Sequence, residues 1–197
     1  MEKYETYKTR CCYYNSVENF LKEDKESWFK TMCNSFNSLY HLSLEEAQKR
    51  AWIDCFNVLQ NELPFVNNKY PGLQIIFEYA LPYESGRRPD VILLSEEYVI
   101  VLEFKQYADV LQADVDQVKS YARDLREYHS ESRNKKVVPV LLLTGTEEKQ
   151  QQRYPGIILC SKNGIDELCS KIFLEQITPT DAKKWIDSKY EPLPTIV

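Results

Sequence analysis

The sequence predicts an α/β protein with a mixed central β-sheet flanked by helices, in the order αα-βββ-α-ββ-αα. Three observations carry this. Amphipathic stretches at helical spacing fill the first third of the chain. Residues 89 to 105 hold two almost wholly apolar runs joined by a short polar turn, the pattern of a hairpin inside a sheet covered on both faces. One amphipathic stretch then separates that hairpin from a further apolar run, Val137 to Leu143, as a crossover helix would.

The elements follow in order. Val17, Phe20, Leu21, Trp28, Met32 and Phe36 recur at helical spacing, so a helix is expected over 15–38 with Ser16 as a candidate cap. Ser43 with Glu46 forms a capping box, and Ala51, Trp52, Cys55, Phe56, Leu59 and Leu63 make the apolar stripe of a second helix. The tryptophans read as core. Leu73 to Ala80 reads as a strand, and the turn from Pro82 to Arg88 leads into the hairpin. A helix over about 109–129 carries Leu111, Val115, Val118, Ala122 and Leu125 on its core face. Gln117 and Tyr121 lie on one flank of that stripe, and Lys119, Arg123 and Arg126 on the other. After the 137–143 strand come a short strand at 156–160 and helices over about 163–175 and 179–189. The expected organisation is one domain, 1–189, with N-terminal helices (1–63), a central sheet and helix (73–160) and C-terminal helices (163–189), followed by a proline-punctuated, linker-like tail at 190–197.

Composition narrows the class. With 43% hydrophobic residues in 197, the chain can bury a core and is not a disordered polymer. No apolar run approaches the roughly 20 residues that span a bilayer, and the polar start has no signal-peptide pattern, so a cytoplasmic protein without membrane contact is expected. None of the six cysteines forms a C-x-x-C pair and His41 and His129 lie far from any cysteine pair, which points to reduced thiols and against structural zinc. A net charge of −5 argues against a surface that binds nucleic acid through bulk electrostatics, while leaving room for a local basic groove beside an acidic metal site.

The hairpin carries the chemistry. Asp90 opens its first strand; Glu103 and Lys105 close the second and share a face, with Phe104 on the other. Charges at the end of an apolar sheet are costly unless paired, solvated or metal-bound. Two acids and a lysine at this spacing can hold a divalent cation and polarise a water beside it. The plain alternative is an exposed Glu–Lys pair and a turn-forming aspartate.

Pro89-Asp90, then Glu103-Phe104-Lys105, resembles the PD-(D/E)xK nuclease superfamily, whose fold is restriction-endonuclease-like. More narrowly, the chain resembles the N-terminal nuclease-like region of bacterial proteins that carry a Schlafen-group-3-like helicase domain. The matching residues are Ser43 to Trp52, Phe77-Glu78-Tyr79, Leu81-Pro82, Gly86 to Asp90, Val101 to Tyr107, Gln117 with Tyr121, and Tyr190 to Ile196. One departure is Gln106-Tyr107, where that group commonly has Gln-Trp.

The resemblance implies a Mg²⁺- or Mn²⁺-dependent phosphodiesterase acting on nucleic acid, DNA in preference to RNA. It also implies a helicase or other ATPase domain as neighbour or partner, and a role in defence against phage or foreign DNA. Asp90 and Glu103 are the expected metal ligands, with the Phe104 carbonyl as a further one, and Lys105 the residue acting on water or phosphate. Glu78, inside an apolar run, is a candidate second-metal ligand or an orienting group for Lys105; its alternative is an exposed glutamate near the sheet end. Arg87, Arg88 and Gln117 are candidate nucleic-acid contacts; the alternatives are a solvated turn or an ion pair with Glu84 for the arginines and a surface position for the glutamine. The competing function is a catalytically inactive module of the same fold that binds nucleic acid or protein.

Overall fold

The structure, a computed structural model, describes residues 10–41, 44–84, 86–146 and 151–191. The strands are β1 (Tyr13–Ser16), β2 (Gln74–Phe77), β3 (Val91–Leu94), β4 (Tyr98–Lys105), β5 (Lys136–Leu143), β6 (Gln151–Tyr154) and β7 (Ile157–Ser161). The helices are α1 (Val17–Phe20), α2 (Lys25–Tyr40), α3 (Glu46–Lys69), α4 (Gln112–Tyr128), α5 (Ile165–Ile172) and α6 (Ala182–Ile186). The strands form one seven-stranded sheet in the order β1-β2-β3-β4-β5-β7-β6. The β1–β4 meander is antiparallel, β4/β5 and β5/β7 pair in parallel, and β6 closes the far edge antiparallel to β7. The expected mixed sheet with flanking helices is therefore present. The α4 crossover between β4 and β5 supplies the length a parallel connection needs.

Two apolar layers sandwich the sheet. On one face α1, α2, α3 and α5 pack over Ile75, Phe77, Val91, Leu93, Ile100 and Leu102. On the other, α4 and α6 pack over Ile76, Ile92, Leu94, Val99 and Val101. Central strands covered on both sides have no reason to alternate apolar and polar residues. Accordingly β3 is buried at every residue and β4 at every residue but its first and last. The first layer is rich in aromatics: the Trp28 ring lies 4.8 Å from Phe56 and 5.1 Å from Phe77.

Several elements differ from the sequence reading. The expected 15–38 helix is a strand, a single turn and then a helix. Tyr13 to Ser16 pairs with β2, and Ser16 caps the short α1 by accepting from the Asn19 N–H. Asp24, not Ser16, caps α2. A four-residue edge strand such as β1 is too short to leave a periodic signal. Leu111 is exposed, because it is the N-cap residue of α4 rather than part of its core face. The last two helices are shorter than expected. Ser43 lies outside the described residues, and the described N-cap of α3 is Glu45, with no side-chain cap bond. Of the expected tail, Tyr190 is buried and bridges to His129, and Glu191 donates its N–H to Tyr128; residues 192–197 lie outside the description. All six cysteines are free. Among the described residues no helix is long and apolar enough to cross a membrane.

The Trp28 indole N–H is buried without a hydrogen-bond partner, so its contribution is packing alone. Trp28→Ala should cost about 3–5 kcal/mol in urea unfolding. Trp28→Phe should cost markedly less, since no hydrogen bond is lost with the N–H.

Candidate active site

The register of the meander builds the site. Phe77 pairs with Val91 and Val91 with Leu102. Extending both pairings by one residue sets Glu78, Asp90 and Glu103 on one row across three strands. Asp90 and Glu103 keep the parity of Ile92 and Val101, so both belong to the α4 face, as does Lys105.

Glu78 breaks the alternation. Its φ is +53°, a left-handed conformation that a residue with a Cβ adopts only at a cost. The expected strand therefore stops at Phe77, and the faces exchange. Tyr79 falls on the α4–α6 side against Trp185, while the Glu78 carboxylate turns toward α3. There Trp52 Nε1 donates to it at 2.7 Å and Gln48 Nε2 at 3.2 Å. Its other oxygen pairs with the Arg88 guanidinium, which lies over the Phe36 and Tyr40 rings. Burial pushes the Glu78 carboxyl above its ordinary pKa, against the opposing pull of Arg88 and the Trp52 bond.

Asp90 accepts from the Phe104 N–H at 2.7 Å. Burial, then the nearby Glu103 and Glu78 carboxylates, hold its pKa well above the carboxylate range. Glu103 is buried. Its Oε1 accepts from Lys105 at 3.1 Å, and its Oε2 meets no hydrogen-bond donor. Burial raises it from the ordinary 4.5 to about 7, with Lys105 opposing. The Lys105 ammonium also reaches Gln117 Oε1 at 3.1 Å and Asp114 Oδ1 at 3.4 Å. Those carboxylates and its bond to Glu103 raise the lysine above its ordinary value, against the effect of burial. Gln117 donates onward to the Tyr121 hydroxyl at 2.9 Å.

Asp90, Glu103, Lys105 and Gln117 thus lie together. Arg88 serves Glu78 rather than standing free in the turn. Arg87 is engaged by Glu84 at 3.0 Å, Asp124 at 2.9 Å and Ser120 at 2.6 Å, so the ion pair with Glu84 that the sequence allowed is formed. Arg123 of the basic stripe likewise pairs with Asp124. Sequence reasoning missed Trp52, Asp114 and Tyr107. Asp114 was within reach, since it sits one helical turn before Gln117 on the face that also holds Tyr121.

Among the described residues no group of three or more His, Cys, Asp and Glu side chains is arranged to hold a metal ion. The site offers two carboxylates facing each other across β3 and β4, one with a buried oxygen that lacks a donor. That set suits a hard divalent cation that keeps several of its waters, as Mg²⁺ does. The buried Glu103 Oε2 is the feature that fits: it makes no hydrogen bond of good geometry, the Asp90 main-chain N–H acting on the carboxyl only as a minor influence, and a cation would satisfy it.

No protein-family model matches the chain, and no curated protein does. Among solved structures, the chain is similar to one in the Thermococcus gammatolerans assembly of McrB AAA+ hexamers with bound McrC, at 14% identity and a TM-score of 0.37 over 79% of this chain and 41% of that one. The chain spans less than half of that neighbour, and a likeness so slight carries no argument about fold or function.

A raised carboxyl pKa favours the protonated folded state, so the folded protein binds more protons than the unfolded chain between the two pKa values. For Glu103 that window runs from 4.5 to about 7. The metal-free melting temperature should therefore fall as pH rises through it, and Glu103→Gln should flatten the decline. Asp90→Asn, which removes a like charge, should raise the metal-free melting temperature near neutral pH and abolish any rise produced by Mn²⁺. Calorimetric scans of the three proteins across pH, with and without Mn²⁺, check both outcomes.

Proposed function

We propose that this chain is a metal-dependent nuclease domain that hydrolyses phosphodiester bonds in nucleic acid, DNA in preference to RNA. The observation that supports it most is the buried Glu103 carboxylate, with one oxygen on Lys105 and the other without a donor, opposite Asp90 at the end of a covered sheet. A buried carboxylate oxygen left without a good donor beside a second carboxylate is what a metal ligand would present.

In this reading Asp90 and Glu103 hold Mg²⁺ or Mn²⁺. When bound, the cation neutralises charge on the scissile phosphate and makes a water more acidic. Lys105 presents a compact positive charge beside the reacting phosphate, and Gln117 holds the lysine on the site side of α4. Glu78 supports the end of β2 through Arg88 and Trp52 and lends negative potential to the neighbouring pair. Phosphate contact by Arg87 requires exchange of its Glu84 or Asp124 partner, and by Arg88 release of Glu78. The sequence resemblance supports a helicase or other ATPase as the partner, with defence against foreign DNA as the setting.

A second reading has its own support. The net charge of −5 and the internal pairing of both arginines favour a module of this fold that binds without cutting. The assay that separates them offers single-stranded and duplex DNA and RNA to the full chain with Mn²⁺, with Mg²⁺ and with chelator. Cleavage that needs the metal, disappears in Lys105→Ala and leaves Mn²⁺ binding by that variant intact is the expected result. No cleavage of any substrate by the wild type hands the case to the binding module. Equal cleavage by Lys105→Ala removes the lysine from the chemistry.

A further inference from the structure

We propose that Asp114, braced by Tyr107, is the positioning residue for Lys105, and that it keeps the ammonium in place when Glu103 turns to a divalent cation. The inference rests on the nuclease reading for its purpose, but its geometry stands apart from it. The Lys105 ammonium donates to Glu103 Oε1 and Gln117 Oε1, each at 3.1 Å, and makes an ion pair with Asp114 Oδ1 at 3.4 Å. Glu103 is also the residue expected to hold the metal. A carboxylate drawn toward a cation is a weaker acceptor for a neighbouring ammonium. With Gln117 neutral, Asp114 is then the charged group that still holds the lysine.

Asp114 is built for a fixed position. It is buried in the first turn of α4, where the helix dipole favours a negative charge. Its second oxygen accepts from the Tyr107 hydroxyl. The Tyr107 backbone is in turn pressed against the loop after β5: a Cβ built on Gly145 would lie 2.5 Å from the Tyr107 carbonyl carbon. The Thr144 N–H donates to the Lys105 carbonyl at 2.8 Å, and the Thr144 hydroxyl to Asp54 at 2.7 Å. The lysine is thus framed from the end of β4, the start of α4 and the end of β5. Neither Asp114 nor Tyr107 belongs to the two-acid-and-lysine pattern, so nothing about metal ligation requires them.

The experiment is trace acylation of the full chain with acetic anhydride, with peptide mass spectrometry reading the labelling rate of Lys105 with and without Mn²⁺. Exposed Lys30 is the internal reference and buried Lys135 the reporter of unfolding. Wild-type Lys105 should be protected in both conditions. In Mn²⁺, Asp114→Asn should label Lys105 roughly three- to tenfold faster, the scale of one lost, partly buried ion pair. Tyr107→Phe should give a smaller rise and Asp114→Glu should restore part of the protection, while Lys135 stays protected throughout. Where the wild type cleaves, Asp114→Asn should lower kcat with little change in KM, and should cost nothing further on a Lys105→Ala background. Unchanged Lys105 labelling in Asp114→Asn, a parallel rise at Lys135, or release of wild-type Lys105 by Mn²⁺ overturns the proposal. A wild type that cuts nothing defeats the nuclease reading instead, and the labelling still decides the role of Asp114.

Discussion

Three carboxylates on one row across the strand ends of a covered sheet are the constraint around which the rest is arranged. Glu78, Asp90 and Glu103 are too close and too buried to ionise independently. Each is given a different remedy. Glu78 has a guanidinium and an indole N–H, Asp90 a main-chain N–H, and Glu103 an ammonium on one oxygen only. The remedies come from separate elements: α3, the turn after β2, β4 itself and, through Gln117 and Asp114, α4. The site therefore exists only once the sheet, the α3 layer and the α4 layer have assembled.

The left-handed residue at 78 shows how this is managed locally. Had β2 continued with regular alternation, Glu78 would have followed Ile76 onto the α4 face, beside Asp90, Glu103 and Asp114. One residue at φ +53° sends it to the opposite layer, where Trp52 and Arg88 wait, and brings Tyr79 onto Trp185. The strain separates one carboxylate from three others while keeping it near enough to influence Asp90 and Glu103. It also fixes Arg88, which packs on Phe36 and Tyr40 of α2. The N-terminal helices thereby form one wall of the charged end of the sheet.

Much of this could be read from the chain, and the division is physical. The hairpin, its strand-end charges and the shared face of Glu103 and Lys105 follow from a period of two that needs no tertiary knowledge. The helix flank bearing Gln117 and Tyr121 follows from a period of 3.6 in the same way. Long-range outcomes are where reading failed. An apolar stripe records that Trp52 is buried, not that its N–H meets a carboxylate from β2. The pairing of Arg88 with Glu78 depends on a left-handed turn at a residue that is not glycine, and no local pattern encodes it. The edge strands β1 and β6 are defined by their partners more than by their own residues.

The charge balance gives the site its character. Four carboxylates, those of Glu78, Asp90, Glu103 and Asp114, are served by two cationic side chains, Arg88 and Lys105. Burial, more than the neighbouring carboxylates, is what raises the Glu103 carboxyl above an ordinary glutamate, with Lys105 opposing. Arg87, engaged by Asp124 and Glu84, is not shared with these carboxylates, so Lys105, held between Glu103, Gln117 and Asp114, is the cation that the α4 side brings to the end of the sheet.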